Sequence, residues 1–302
     1  TAAQIYNPLL NPGGVRCTLQ DYMVTMFGRR SSDGFANRAY SNVGVQYGLA
    51  ALNSGAITPE QFVDLNSKIG SHDIDYKLQP TRVAADAGAL ATAYLTGYVN
   101  EAKGMATVAN IHLRPIDTTT IHHQYRAWSI RARLDRANGT HGNQAIWYNA
   151  GSQNEAYDAM DQWLTALASD NSNASLAQKV INNRPAAAND RCNNQDGSGL
   201  TMRQCTGVDD GSPRMAAGED LTDDIVECQL KPLNRNSYSV TFTDAQWSAL
   251  QSVFLNGVCD YSLPGKAQQM AQVWMTYLDA VGQPIVGGMP LPAPPPGSGL
   301  SW

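Results

Sequence analysis

Three of the chain's five histidines lie between residues 112 and 123, together with an arginine and an aspartate. The run is MATVANIHLRPIDTTTIHH, from Met105 to His123. A histidine beside an acid is the apparatus of general-base catalysis: the ring titrates near neutrality, and a carboxylate holds its second nitrogen. His122 and His123 are adjacent, so they point in different directions and only one serves as base. His122 is the preferred base, because His123 falls within the start of the next helix. Asp117 is the nearest acid. Arg114 has the fork geometry to hold a substrate carboxylate. Each residue also has an ordinary structural use: a helix start or sheet packing for the histidines, an Asx-turn for Asp117, a salt bridge for Arg114.

Other residues compete for the same roles. Asp73 and Asp75 follow His72 in the loop SHDIDYKLQP and are alternative acids or metal ligands. Thr1 could act as an N-terminal nucleophile with its own amine as base. Such residues usually open a strand, whereas TAAQIYNPLLNPGG is poor strand material. The loop Asn189 to Gly199 has oxygen ligands suited to calcium, without EF-hand spacing. No metal site and no cofactor are expected. No serine sits in a G-x-S-x-G context, so the nucleophile of an acyl-transfer site is not evident here.

The elements that must position Asp117 and the histidines follow from pattern. Ala106 to Leu113 is mostly apolar with β-formers and is predicted to be a strand, stopped by Pro115. Tyr125 to Ala137 reads as a helix, Gln144 to Tyr148 as a second strand, and Asn154 to Ala168 as an amphipathic helix. Strand, helix, strand, helix implies neighbouring parallel strands. An acid and a histidine just past a strand end then sit where α/β enzymes keep their chemistry. Upstream, Thr58-Pro59-Glu60 is a clear helix start. Other helices are predicted from Thr18 to Phe27, from Arg82 to Tyr98, after Thr243, and from Gln268 to Leu278. Strands are predicted over Ile225 to Leu230 and Tyr238 to Phe242.

The chain has 302 residues, 43% of them hydrophobic and 16% charged, with net charge −5. That length supports a sizeable core. The acidic balance argues against a nucleic-acid partner, and no apolar run reaches the roughly 18 residues of a membrane span. Charged residues are scarce against an average of about 25%, as in many exported proteins. Five cysteines, none in a zinc or CxxC spacing, read as disulfides of a secreted or periplasmic protein. Cys192 with Cys205 and Cys228 with Cys259 bracket short segments, leaving Cys17 over. Starting at Thr1, the chain is expected to have been cleaved from a precursor or cut by design.

Several stretches together carry a resemblance: NPGGVRCTLQDYMVTMFGRR, NVGVQYGLAAL…ITPEQFVDLNSKIG, IHHQYRAWSIRARLDRANG and CQLKPL…NGVCDYSLPGKAQQ. They resemble the C-terminal half of a family of large secreted bacterial proteins, catalogued mainly as a domain of unknown function. The upstream half of such proteins looks like the start of an α/β-hydrolase, with a Gly-rich G-x-S-G-G-S turn. The resemblance implies an α/β fold: the C-terminal part of a hydrolase-like parallel sheet with helices on both faces, over residues 1–180. A disulfide-bonded segment, 181–302, would pack on it. It further implies an ester or amide hydrolase whose nucleophile lies on an N-terminal half or second chain, held through Cys17. The order nucleophile, acid, histidine fits that division. One departure stands out: the hydrolase histidine normally follows the last strand, and no histidine follows Trp147.

Overall fold

A computed structural model describes residues 1–302 other than 8, 12, 17, 19–21, 116–122, 194–210, 273–276, 279, 280, 282 and 287–302. It divides into two compact units, residues 101–223 and residues 1–100 with 224–302. The boundary expected at 180 falls inside the first of these.

The 101–223 unit is built on strands β3 (Asn110–Arg114), β4 (Gln144–Tyr148) and β5 (Arg191–Cys192). They form a parallel sheet in the order β3-β4-β5, with Asn110 opposite Gln144 and Arg114 opposite Tyr148. Helix α5 (Tyr125–Asn138) joins β3 to β4, and α6 (Gln153–Ala168) and α7 (Leu176–Asn182) follow. Every residue of β4 is buried, as expected for a central parallel strand covered on both faces. Its alternate side chains face opposite ways. Ile146 and Tyr148 pack with Cys192 and with Ala127 and Trp128 of α5. Ala145 and Trp147 pack with Ala159 and Trp163 of α6 and Val180 of α7. Trp147 and Trp163 are fully buried. A ring of that size removes about 200 Å² from water, worth about 5 kcal/mol. Their indole N–H groups donate to the Asn189 and Val180 carbonyls, at 2.9 and 2.7 Å.

Local signals set the ends of these helices. Ser152 and Glu155 cap α6 reciprocally, and Gly139, at φ +73°, ends α5. Gly151, at φ +72°, makes the turn after β4; a Cβ there would lie 2.6 Å from the Trp147 ring. The strand expected from Ala106 begins only at Asn110. Ala102 takes φ +62° and a 3₁₀ turn occupies Lys103–Met105, consuming the residues before it.

In the other unit, α2 (Leu49–Asn53), α3 (Pro59–Lys68) and α8 (Asp244–Val253) enclose Leu52, Phe62, Phe242, Leu250, Phe254 and Val258. Its other elements include α1 (Val24–Phe27), α4 (Ala87–Leu95), and the antiparallel pairs β1 (Ser71–His72) with β2 (Leu78–Gln79) and β6 (Leu230–Lys231) with β7 (Val258–Cys259). Cys228 and Cys259 form a disulfide, and Cys192 is disulfide-bonded as well. Cys17 and Cys205 lie outside the described residues.

Four expectations fail in this unit. Ile225 to Leu230 is not a strand until Leu230, and Tyr238 to Phe242 is irregular. The rings of Tyr238 and Phe242 meet edge to face at 5.1 Å and pack near Phe62; they fill a core rather than alternate on a sheet. The helix expected from Arg82 starts at Ala87. The N–H groups of Val83 and Ala85 instead donate to the Asn42 and Glu227 side chains. Tyr277–Leu278, placed in a last helix, pairs instead with β-strand Pro284–Val286.

Candidate active site at the carboxyl edge of the parallel sheet

Asp117 and His122 lie outside the described residues, so the site is built from what flanks them. β3 ends at Arg114, and the chain re-enters at His123, two residues before α5. Arg114 Nη2 donates to the His123 carbonyl oxygen at 2.8 Å. The guanidinium therefore ties the strand end to the helix entrance. The Asn149 N–H donates to the Arg114 carbonyl at 2.7 Å, and Asn193 Nδ2 donates to the Asn149 carbonyl at 3.0 Å. All three strand ends are thus stitched together at one edge.

The His123 ring lies 5.8 Å from that of Tyr125. Tyr125 is buried, and its hydroxyl donates to Asp223 Oδ2 at 2.9 Å. Asp223 Oδ1 also accepts from Ser212 Oγ at 2.8 Å, and Arg126 stands 3.8 Å from its other oxygen. Asp223 has φ +45°, an uncommon conformation for a residue other than glycine. The Arg133 guanidinium holds it there by donating to the Thr222 and Asp223 carbonyls, at 2.7 and 2.8 Å. Sequence reasoning missed Asp223. Its contact to Tyr125 spans 98 residues, and its one local signal is the acidic pair Asp223-Asp224.

Two steps back along β3, His112 is largely buried. Burial, aided by Arg114 and Arg131, pushes its imidazole below the usual value. Its Nε2 has no hydrogen-bond partner among the described residues. His141 pairs with Asp135 at 2.8 Å, but it precedes β4 and so belongs to the opposite, amino edge of the sheet.

The competing candidates have local work. Asp73 accepts the N–H groups of Asp75 and Lys77, at 2.8 and 2.9 Å, and shapes its own turn. Asp75 pairs with Arg16 at 3.1 Å. Thr1 opens a 3₁₀ turn, not a strand, with its amine on Gln4 Oε1 at 2.8 Å. Most of the 189–199 loop lies outside the described residues; Asp190 within it is engaged by Arg131 at 2.7 Å. No group of three or more His, Cys, Asp or Glu side chains converges to hold a metal among the described residues.

A family model described as a Tannase-like family of unknown function (DUF6351) matches residues 1–270. The chain belongs to this family. The Tannase-like match spans both compact units and the whole β3–β5 sheet. No curated protein and no solved structure matches the chain. The Tannase-like description points to hydrolysis of the esterase kind. The mixed α/β architecture is compatible with it.

Proposed function

We propose that this chain supplies the acid–histidine part of an ester hydrolase of α/β-hydrolase type, its serine carried by a separate N-terminal part. The observation that carries this reading is where the described flanks lie: Pro115 follows the carboxyl end of β3 and His123 stands two residues before α5, in a parallel strand–helix–strand unit whose carboxyl edge is where such enzymes bind substrate. The Tannase-like family match supports the ester as the bond cleaved. In this reading His122 or His123 takes the serine proton during attack and returns it to the leaving alcohol. Asp117 holds the imidazolium, Arg114 binds the substrate, and no cofactor is required.

A second observation supports a missing sheet partner. β3 is an edge strand, paired only with β4 among the described residues. A parallel strand from the serine-bearing part has an open ladder to join. Export and a link through Cys17 belong to the same proposal.

A fluorophosphonate probe tests it. Incubated with the chain and its proposed serine-bearing part, the probe should label a serine outside residues 1–302. Labelling that maps to Thr1, or to a serine within 1–302, overturns the division of the site.

A further inference from the structure

A cavity of about 360 Å³ opens in the unit of residues 1–100 and 224–302. Aromatic rings make much of its wall: Phe27, Tyr40, Tyr76 and Tyr98, with the His72 ring stacked on Tyr76 at 4.6 Å and 17°. Tyr98 meets Phe27 edge to face at 5.4 Å. Tyr40, Tyr76 and Tyr98 are all exposed, so the rings border an opening rather than a sealed core.

One cation lies in that wall. Arg38 Nη1 donates to the His72 carbonyl at 3.2 Å, while its Nε is buried without a hydrogen-bond partner among the described residues. The backbone of Arg38 is clamped: its N–H donates to Asp86 Oδ2 at 2.7 Å and its carbonyl accepts the Asp86 N–H at 2.9 Å. Asp86 thus fixes the base of the side chain. Burial holds the guanidinium below its ordinary value, the mark of a cation short of solvent. Arg38 itself lines the cavity, and a carboxylate is the matching partner of a guanidinium.

We infer that this cavity is a binding site for a small aromatic carboxylate, the ring lying among Tyr76, Tyr98 and Phe27 and the carboxylate on Arg38. Rings favour a planar π-face over an aliphatic body of equal size. The volume is at the lower end for small-molecule sites and suits a single-ring acid. None of these residues belongs to the β3 loop, so the inference stands or falls separately from ester cleavage.

Benzoate is the probe, with cyclohexanecarboxylate as the anion without a π-face and benzyl alcohol as the ring without charge. Binding is read by calorimetry and saturation-transfer NMR. Benzoate should saturate the protein and bind at least tenfold tighter than either analogue. Arg38→Met should weaken benzoate at least tenfold and leave benzyl alcohol unchanged. Tyr76 has φ +62°, which asparagine tolerates, so Tyr76→Asn removes the ring and keeps the turn. It should weaken benzoate at an unchanged melting temperature. No saturable benzoate binding up to about 10 mM, or equal affinity for cyclohexanecarboxylate, overturns the inference. So does parent-like benzoate affinity in Tyr76→Asn, even where Arg38→Met fails to fold.

Discussion

Asp190 ties three pieces of the 101–223 unit together. Its carboxylate accepts from Arg131 of α5 at 2.7 and 2.9 Å and from the Ile146 N–H of β4 at 2.8 Å, with Arg184 3.6 Å away. Burial alone would push this acid up, but the hydrogen bonds from Arg131 and Ile146 and the charge of Arg184 hold it below the usual carboxylate value. Glu227 follows the same logic, with Lys266 at 2.7 Å and the Ala85 N–H outweighing its burial. A depressed folded pKa contributes stability above the ordinary carboxylate range. That contribution is lost as pH falls through the folded value. Asp190→Asn should therefore cost about 3 kcal/mol at pH 7, because two arginines lose a buried partner. Its urea-unfolding curve should approach that of the parent as pH drops below about 4. A gap that stays constant from pH 7 to acid would show that Asp190 does not hold the unit by charge.

At the scale of elements, the Cys228–Cys259 bridge shows how a short ladder persists. β6 and β7 contribute two residues each, too few to stand alone. The bridge closes a separation of 31 residues, and the chain-entropy estimate gives it about 3–4 kcal/mol. Gly44, at φ +77°, lets the backbone reach this corner; its carbonyl accepts the Cys259 N–H at 2.9 Å, and a Cβ would lie 2.4 Å from Leu230. Replacing both cysteines with serine should lower unfolding stability by about that 3–4 kcal/mol. An unchanged denaturation midpoint would assign the corner to packing alone.

What could be read in advance divides along the same physical line. Helices with local punctuation were legible: Thr58-Pro59 before α3, Thr243 before α8, Gly139 after α5. So was β4, whose apolar run reflects burial on both faces. Elements decided by distant partners were not. Tyr238 and Phe242 look like strand residues, yet Phe62 and Trp247 decide their place. The site divides likewise. The Arg114 strand end and the entry of His123 to α5 follow from local pattern, whereas Asp223 reaches Tyr125 only through the fold. Asp117 and His122 stand as read from sequence, outside the described residues.

For the whole molecule, three features bear on function together. Among the described residues, β3 is an edge strand of a parallel sheet. That strand's carboxyl end and His123, at the entrance of α5, are tied by Arg114. The family is Tannase-like over residues 1–270. No helix among the described residues is long and apolar enough to cross a membrane. The aromatic cavity is a separate feature of the other unit.

The central claim is that the 115–123 segment lends a proton acceptor to an ester-cleaving serine. Turnover of p-nitrophenyl butyrate by the chain joined to its serine-bearing part measures it, comparing His122→Ala, His123→Ala and Asp117→Asn with the parent. The account predicts that one histidine variant and the aspartate variant each lose about 10³-fold or more in kcat at an unchanged melting temperature. Parent-like kcat in both histidine variants would contradict it.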